Sequence, residues 1–416
     1  MEINIRIEPQ KNEIAAIVKI NKCDISASVF YLNRDFIIDL YRVDGREIDV
    51  LGIEGLYTAP ELDGYMVKSI EVPPFKKEIV FAYHGRLSGT SGCFPYAREE
   101  ITAAFTLLRW ETFCYPVFSS LDRERLMPYL QEDKNAAVLI DIPGNYTAVV
   151  SGNLIEAYGE EGRKKYSYIA NWHNLNCAIA QYKKSETFLG KMYFMSDFEN
   201  KDFFNEVMKK AYDYMNEHFG KREISADTRY AVIPSGLGSF VTDTVVYVEE
   251  AAFKSIINMS QIIHEFIHLG WNAMATGNSQ RIRFFDEGFT CYFEDRIMQY
   301  LLSEEQYNKY AESRINMFRQ QKKDMVLDVA IADFYKYDYG DLSYTMGALC
   351  LKELTQYIGS NNFDRITREF LMKYKDQPVD INRFCREYND RYAGGDLEDF
   401  FEKWIYTTNG YKKYIG

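Results

Sequence analysis

Residues 260–271 read SQIIHEFIHLGW, and this stretch contains an HExxH motif formed by His264, Glu265 and His268. The apolar residues around the motif recur at helical spacing, which predicts that it lies on a helix. Histidines four residues apart lie on the same face of a helix, about one turn apart, so both imidazoles can bind one metal ion. Glu265 lies one step around that helix, where it can contact a water on the metal without becoming a ligand. The stretch therefore predicts a metal site with a candidate general base beside it.

A second acidic segment, DEGFTCYFE at residues 286–294, offers Glu287 as a third ligand. Two histidines and one carboxylate leave the fourth position of a tetrahedral zinc ion to water, as in catalytic zinc sites. The residues after His268 are LGW (269–271), which excludes the longer HExxHxxGxxH pattern of the metzincins. We therefore expect Zn²⁺ to be bound by His264, His268 and Glu287.

Length and composition indicate a folded, acidic protein. A chain of 416 residues corresponds to two or three domains at roughly 150 residues each. The 61 acidic residues exceed the 49 Lys and Arg, and a net charge of −12 argues against nucleic acid or an anionic membrane surface as a partner. No apolar run approaches the ~20 residues of a membrane helix, and the N-terminal residues do not resemble a signal peptide. We expect a cytoplasmic protein, whose seven cysteines, without a CxxC pair, are free thiols.

The pattern of apolar residues changes near residue 197. Short stretches with alternating apolar residues, broken by Gly, Asn and Asp, predict a mostly β domain over residues 1–197. Helical periodicity predicts a mostly α domain over residues 198–416. Within that second half, TRYAVIP (228–234) and VTDTVVYV (241–248) predict a small sheet. The expected fold class is α+β with two domains.

HEFIH, the gap of eighteen residues and DEGFTCYFE together resemble the HExxH–x18–E and NEGFAxYxE motifs of gluzincin metallopeptidases of family M1, relatives of aminopeptidase N and leukotriene A4 hydrolase. Thermolysin-type chains have a gap one residue longer and lack the EGF run. The resemblance implies an N-terminal β-saddle domain and a thermolysin-like, mostly helical catalytic domain with a small sheet.

Other segments extend this resemblance. YTMGA (344–348) is similar to the YxKGA helix start of the family, whose tyrosine hydrogen-bonds the oxyanion, and Met346 stands where lysine is usual. FFEKWIYTTNGY (400–411) is similar to the tryptophan-containing helix that closes the catalytic domain. FAYHGRL, CYPVFS and YTAVVSGNL resemble parts of the saddle domain. The resemblance implies hydrolysis of peptide substrates, with Glu265 as general base and Tyr344 as oxyanion donor. Glu294, two helical turns after Glu287, is a candidate for a carboxylate that orients a ligand histidine, and a surface or salt-bridge role fits it equally well.

Two features depart from the family pattern. Family aminopeptidases have a GAMEN motif, whose Glu binds the substrate α-amine. At the corresponding position this chain has GLGSF (236–240), which contains no acidic residue. We expect the backbone of Gly236, Leu237, Gly238 and Ser239 to contact the substrate. Glu111 is a candidate substitute for the missing acid. The chain stops soon after Trp404, so the helical C-terminal domain of many relatives is expected to be absent and the cleft more open.

Three functions remain compatible with these residues. The first is an aminopeptidase with a relocated amine anchor. The second is an endopeptidase or a hydrolase of another amide or an epoxide. The third is a non-catalytic zinc-binding interaction protein, which the intact set of ligands, base and tyrosine disfavours. The sequence makes no prediction of the oligomeric state.

Overall fold

The computed structural model describes residues 1–22, 29–49, 67–87, 100–117, 135–198, 200–225, 227–242, 244–273, 283–323, 329–336, 342–375 and 377–415. The chain divides into two compact units. Unit 1 contains Met1–Glu199 and Asp227–Glu250, and unit 2 contains Asn200–Ala226 and Ala251–Gly416.

Unit 1 is rich in strands and unit 2 in helices, which confirms the predicted two-domain α+β fold class. The predicted boundaries, 1–197 and 198–416, stay a prediction. The compact units divide the chain close to the same point, but they group residues 227–250 with the N-terminal strands.

The strands of unit 1 are β1 Glu2–Glu8, β2 Glu13–Asn21, β3 Val29–Asn33, β4 Ile37–Val43, β5 Arg46–Glu47, β6 Val67–Glu71, β7 Glu78–Gly85, β8 Glu100–Ile101, β9 Phe105–Leu108, β10 Asn135–Pro143, β11 Thr147–Val150, β12 Asn153–Glu160, β13 Arg163–Asn171, β14 Cys177–Ala180, β15 Lys183–Thr187, β16 Gly190–Phe194, β17 Arg229–Ile233, β18 Phe240–Val241 and β19 Val245–Glu249.

The largest sheet of unit 1 has the strand order β12-β13-β10-β1-β2-β7-β4-β5. Its strands show the predicted alternation, because successive side chains of a strand point to opposite faces. In β1, Ile3, Ile5 and Ile7 are buried while the residues between them are exposed or partly exposed. Ile5 lies opposite Ala16 of β2 and Ile140 of β10, so these side chains form one row of the core.

A five-stranded sheet, with the order β15-β16-β17-β19-β18, contains the strands predicted after residue 228. β17 runs parallel to both β16 and β19, and every residue of β17 is buried, as is usual for strands in the middle of a parallel arrangement. β18 is antiparallel to β19 and forms one edge of the sheet. Two further sheets have the orders β11-β14-β9-β8 and β3-β6.

The helices of unit 2 are α1 Lys201–Phe219, α2 Ser260–His268, α3 Phe289–Leu301, α4 Glu304–Lys323, α5 Leu342–Ile358, α6 Ser360–Lys373, α7 Ile381–Arg391, α8 Glu398–Phe401 and α9 Lys412–Ile415. Wider π-helical turns occupy Phe284–Gly288 and Glu402–Tyr406, and single 3₁₀ turns occupy Pro9–Lys11, Trp110–Thr112, Trp172–Asn174, Glu250–Phe253 and Ile331–Lys336.

Helix α3 lies at the centre of unit 2, where it contacts α1, α2, α4 and α5. Its start is fixed by an aromatic cluster in which Phe289 packs against Phe285, Phe370 and Phe384. Such ring pairs add ~0.5–1.5 kcal/mol each beyond the burial of their surface. The chain enters α3 directly from the π-turn Phe284–Gly288.

Two further sequence expectations can be compared with the described residues. Within those ranges, no helix combines the length and the apolar character needed to span a membrane. The five cysteines that the structure describes, at positions 114, 177, 291, 350 and 385, are buried free thiols. Cys23 and Cys93 lie outside the described residues.

Candidate metal centre and active site

Helix α2 presents both histidines of the HExxH motif on one face. Ile263, Phe266 and Ile267 of the same helix are completely buried, and this apolar side fixes the rotation of the helix. The imidazole rings of His264 and His268 are 4.9 Å apart between centroids and nearly perpendicular, at 74°. The two Nε2 atoms lie 3.2 Å from each other. The helical spacing thus brings two imidazole nitrogens to one point, as the sequence predicted.

The π-turn Phe284–Gly288 brings the carboxylate of Glu287 to the same point. Glu287 Oε2 lies 3.1 Å from His264 Nε2 and 3.4 Å from His268 Nε2. The turn is closed by the Gly288 N–H donating to Arg283 O, five residues back. Single π-turns of this kind occur often at functional sites. The structure therefore brings the three predicted ligands together.

The donor atoms suit a tetrahedral zinc ion. Ligand atoms about 2.1 Å from such an ion lie about 3.4 Å from one another, close to the observed separations. The electrostatics also favour a cation. Burial lowers the pKa of His268, but the carboxylates of Asp286 and Glu287 outweigh it and raise that pKa to about 10. Burial raises the pKa of Glu287, but His268 and Arg283 hold it well below its usual range.

Glu265 lies on α2 between the two histidines and is 8% exposed. Burial is the largest influence on this carboxyl group and raises its pKa above the ordinary value. A carboxyl group with a raised pKa holds a transferred proton more firmly near neutral pH. The general-base role of Glu265 stays a prediction.

A carboxylate lies behind each histidine. His264 Nδ1 is 3.0 Å from Glu294 Oε2. His268 Nδ1 is 2.7 Å from Asp286 Oδ1, and the Asn272 side-chain amide donates to the same oxygen at 2.9 Å. Contacts of this type fix the ring orientation and the tautomer of a metal-binding histidine. The sequence analysis did not single out Asp286, although its place beside Glu287 was a usable signal.

Glu294 is held by partners that the sequence did not reveal. The Tyr310 hydroxyl donates to Glu294 Oε1 at 2.6 Å, and Arg314 Nη2 lies 3.6 Å from Glu294 Oε2. Burial opposes ionisation of Glu294, but Arg314 and the hydrogen bonds with His264 and Tyr310 lower its pKa to about 2. The carboxylate is therefore charged at all ordinary pH values.

Tyr344 of α5 contacts the other oxygen of Glu287. Its hydroxyl donates to Glu287 Oε1 at 2.6 Å, and Arg283 Nη2 donates to the same oxygen at 2.5 Å. The Arg283 guanidinium also lies 5.4 Å from the centre of the Tyr344 ring. Met346, at the usual lysine position, is completely buried. Arg283 was not singled out from the sequence, because its side chain reaches Glu287 through the π-turn and not through a regular helix.

Gly347 allows α5 to approach the turn that carries Glu287. A Cβ atom at Gly347 would lie 2.8 Å from Gly288 Cα and 3.3 Å from Phe284 Cδ2. Real Cβ atoms essentially never approach backbone atoms that closely. The spacing Tyr-x-x-Gly therefore has a physical reason: the glycine is the contact point that lets Tyr344 reach Glu287.

The predicted substrate segment belongs to unit 1. Gly236, Leu237, Gly238 and Ser239 form a turn before the edge strand β18. The N–H groups of Gly236 and Gly238 both donate to Glu249 Oε1, at 2.7 and 2.8 Å. Both glycines have positive φ angles, 97° and 78°, which favour glycine. The segment thus lies against a carboxylate from β19, and two main-chain donors already bind that carboxylate.

Glu111, the suggested substitute anchor, is in a buried ion pair within unit 1. Arg109 Nη2 and Nε donate to its two carboxylate oxygens at 2.7 and 3.3 Å. The Arg109 guanidinium also stacks on the ring of Phe240, 4.0 Å from its centre. Both oxygens of Glu111 therefore have a cationic partner in the protein.

The chain was compared with known families, proteins and structures. Residues 236–404 match the family model described as the peptidase family M1 domain. The comparison with curated proteins found no match. An M1 zinc metallopeptidase from Deinococcus radiodurans is similar, with 13% identity and a TM-score of 0.63, over 97% of this chain and 92% of that chain. A mutant of that enzyme bound to a Tyr-Ser-Ala substrate matches equally well in TM-score, at 12% identity over the same shares of both chains.

Native yeast LTA4 hydrolase is also similar, with 12% identity and a TM-score of 0.64, over 98% of this chain and 67% of that chain. At such identities the solved structures show the fold. The family model adds the sequence evidence, because its matched range contains the histidine pair, Glu287 and Tyr344. Residues 236–404 are therefore similar to the peptidase family M1 domain, and the chain has the fold of M1 zinc metallopeptidases.

Proposed function

We propose that this chain hydrolyses peptide bonds at the site formed by His264, His268 and Glu287, with Glu265 as general base. One observation carries the proposal. Two imidazole nitrogens and one carboxylate oxygen lie 3.1–3.4 Å from each other, and Glu265, which follows His264 on the same helix, is a buried carboxyl group. A purely structural zinc site is usually closed by four protein ligands and has no use for a base at its side.

When bound, zinc supplies Lewis-acid chemistry, which makes water nucleophilic near neutral pH and polarises a carbonyl group. Glu265 accepts the proton of the attacking water on its carboxylate and delivers it to the nitrogen of the leaving amine. Its burial favours this exchange, because the raised pKa keeps the proton available for the second transfer. The contacts of Asp286 and Glu294 with the two Nδ1 atoms keep both imidazoles in one orientation during the reaction.

Tyr344 is proposed as the donor to the oxyanion. Burial is the largest influence on its hydroxyl and raises its pKa well above the ordinary value, so the group stays protonated and able to donate. In the free protein the hydroxyl donates to Glu287 Oε1. Arg283 Nη2 donates to that oxygen too, so Glu287 keeps a partner when the tyrosine turns to the substrate. Donors of this kind are worth about 10²–10³ in kcat.

The substrate class is a peptide whose main chain is bound as an extended strand. β18 and the turn of Gly236, Leu237, Gly238 and Ser239 form an edge at which such a strand can add. Glu111 and Glu249, the acids considered as amine anchors, each have strong partners inside unit 1. We infer that the chain depends weakly on a free substrate N-terminus and also accepts internal peptide bonds.

Metal content and turnover of three variants test this function. His264→Ala removes one donor and is expected to lose zinc with little loss of folding, whereas Glu265→Gln keeps zinc and loses activity by about 10²–10⁴-fold. His84→Ala is a matched control, because His84 also contacts a carboxylate, Asp39, at 2.8 Å, but at an exposed position of unit 1. Full zinc occupancy of His264→Ala in elemental analysis overturns the ligand assignment, and wild-type turnover by Glu265→Gln overturns the assignment of the base.

A further inference from the structure

Helix α4 places two polar side chains on the carboxylate of Glu294. Tyr310 and Arg314 are four residues apart and therefore lie on one face of this helix. The Tyr310 hydroxyl contacts Glu294 Oε1 at 2.6 Å, and Arg314 Nη2 is 3.6 Å from Glu294 Oε2. One surface of α4 thus holds both oxygens of a carboxylate that belongs to α3.

The same carboxylate contacts the proposed ligand His264. Glu294 Oε2 is 3.0 Å from His264 Nδ1, while His264 Nε2 faces Glu287 Oε2 at 3.1 Å. A carboxylate at Nδ1 keeps that nitrogen protonated and leaves the Nε2 lone pair for the metal. The direction of the lone pair therefore depends on where the Glu294 side chain is held.

Glu294 cannot replace a lost partner with bulk water, because the residue is 2% exposed. A buried carboxylate that loses a donor moves or rotates to recover one.

Arg314 provides a second connection to the imidazole of His264. Its Nη2 donates to Cys291 Sγ at 3.1 Å, and that sulfur lies 3.9 Å from His264 Nδ1.

We propose that Tyr310 and Arg314 are positioning residues of the metal centre, which act through Glu294 to orient His264 and set the affinity for zinc. They touch neither the predicted ligand atoms nor Glu265, so their effect is indirect. This inference rests on the proposed function, because it takes His264 as a zinc ligand. It assigns α4 a role in zinc binding, although none of the sequence motifs lies on this helix.

The chain offers a matched control on the same helix. The hydroxyl of Tyr307, one turn before Tyr310, also donates to a carboxylate of α3, that of Asp295, with both distances 3.1 Å. Lys352 of α5 contacts Asp295 as well, at 3.1 Å. Among the contacts of the described residues, Asp295 has none with the three proposed ligands. Tyr307→Phe therefore removes a comparable hydrogen bond without reaching the metal centre.

The test measures zinc affinity of the full-length chain by competition with a chromophoric chelator, together with the visible spectrum of the Co²⁺-substituted protein and unfolding by urea. Tyr310→Phe is expected to weaken zinc binding about 10-fold, at the lower end of the range for a group behind a ligand. Its cobalt spectrum is expected to shift. Tyr307→Phe is expected to lose similar stability and to keep wild-type zinc affinity and spectrum.

Two further comparisons show whether the effect passes through Glu294. In a Glu294→Gln background, Tyr310→Phe is expected to change zinc affinity no further, because the two variants remove parts of one connection. Arg314→Lys, which keeps a cation beside Glu294, is expected to bind zinc more tightly than Arg314→Gln. If Tyr310→Phe does not fold, this pair at Arg314 decides the question alone.

The outcomes separate this inference from the proposed function. Wild-type zinc affinity in Tyr310→Phe, equal losses in Tyr310→Phe and Tyr307→Phe, or equal affinities in the two Arg314 variants overturn the positioning role. If His264→Ala loses zinc in the same experiments, the proposed function stands while the positioning role fails. If His264→Ala retains full zinc, both fail.

Discussion

Gly347→Ala is expected to impair catalysis far more than folding. The new methyl group would lie 2.8 Å from Gly288 Cα, and ordinary contacts begin at 3.4 Å, so the backbones of α5 and the π-turn must separate by 0.6 Å. Such overpacking costs about 1–3 kcal/mol, while alanine is better than glycine inside a helix by about 1 kcal/mol. The free energy of unfolding is therefore expected to fall by about 0–2 kcal/mol, the difference between these two effects.

The same displacement acts directly on the site. If α5 moves by this amount, the Tyr344 hydroxyl lies about 3.2 Å from Glu287 Oε1 instead of 2.6 Å, a long contact for two oxygens. Displacing a catalytic group by a fraction of an ångström lowers kcat/KM by roughly 10- to 100-fold. Zinc content is expected to stay near the wild-type level, because two of the three proposed ligands, His264 and His268, lie on α2, which is not displaced.

Gly270→Ala is the matched control for this variant. Gly270 lies two residues after His268, but a methyl group there meets only the Cβ and Cγ atoms of Arg222, at 3.2 and 3.3 Å. A side chain can shift by a few tenths of an ångström, so this variant is expected to retain activity. Steady-state kinetics, zinc analysis and urea unfolding of both variants are the measurements. Wild-type kcat/KM in Gly347→Ala would refute the argument that this glycine contact positions Tyr344.

Two further predictions concern the reaction itself. Tyr344→Phe is expected to keep zinc, because Arg283 still donates to Glu287 Oε1. Its kcat is expected to fall by about 10²–10³-fold, and an unchanged kcat in steady-state assays would show that Tyr344 is not the oxyanion donor. A free-amine peptide and its N-acetylated counterpart are expected to differ by less than about tenfold in kcat/KM, because an intact amine anchor worth ~3 kcal/mol would separate them by more than a hundredfold. A larger preference that disappears in Glu111→Gln or Glu249→Gln would show that one of these acids is a relocated anchor.

The proposed metal centre could be predicted from sequence where its geometry is local. His264 and His268 share a helix face at any HExxH, and the carboxylate of Glu287 follows at a recognisable distance along the chain. Arg283 was not predictable, because its bond to Glu287 depends on a π-turn, which leaves no trace in the apolar periodicity. Tyr310 and Arg314 reach Glu294 only through the packing of α4 on α3.

The same distinction applies to the fold. Alternation in β1 and the apolar run of β17 predicted strands, because burial on one or both faces appears directly in the residue order. The partners of a strand do not appear in its own sequence. β17 pairs in parallel with β16, where Met192 lies opposite Tyr230, and this pairing joins segments on either side of α1. Grouping residues 227–250 with unit 1 depends on that long-range contact.

The division of the chain between its units has a consequence for the order in which they can be completed during synthesis. The chain passes from one unit to the other after residues 199, 226 and 250. All of unit 1 has been made when the ribosome reaches residue 250, before His264 is added. At that moment only residues 200–226 of unit 2 have been made. The apolar side chains of α1, such as Phe204 and Met208, do not yet have the helices α3 and α6 to pack against. The strand-rich unit can thus fold first, before the proposed zinc ligands have been synthesised.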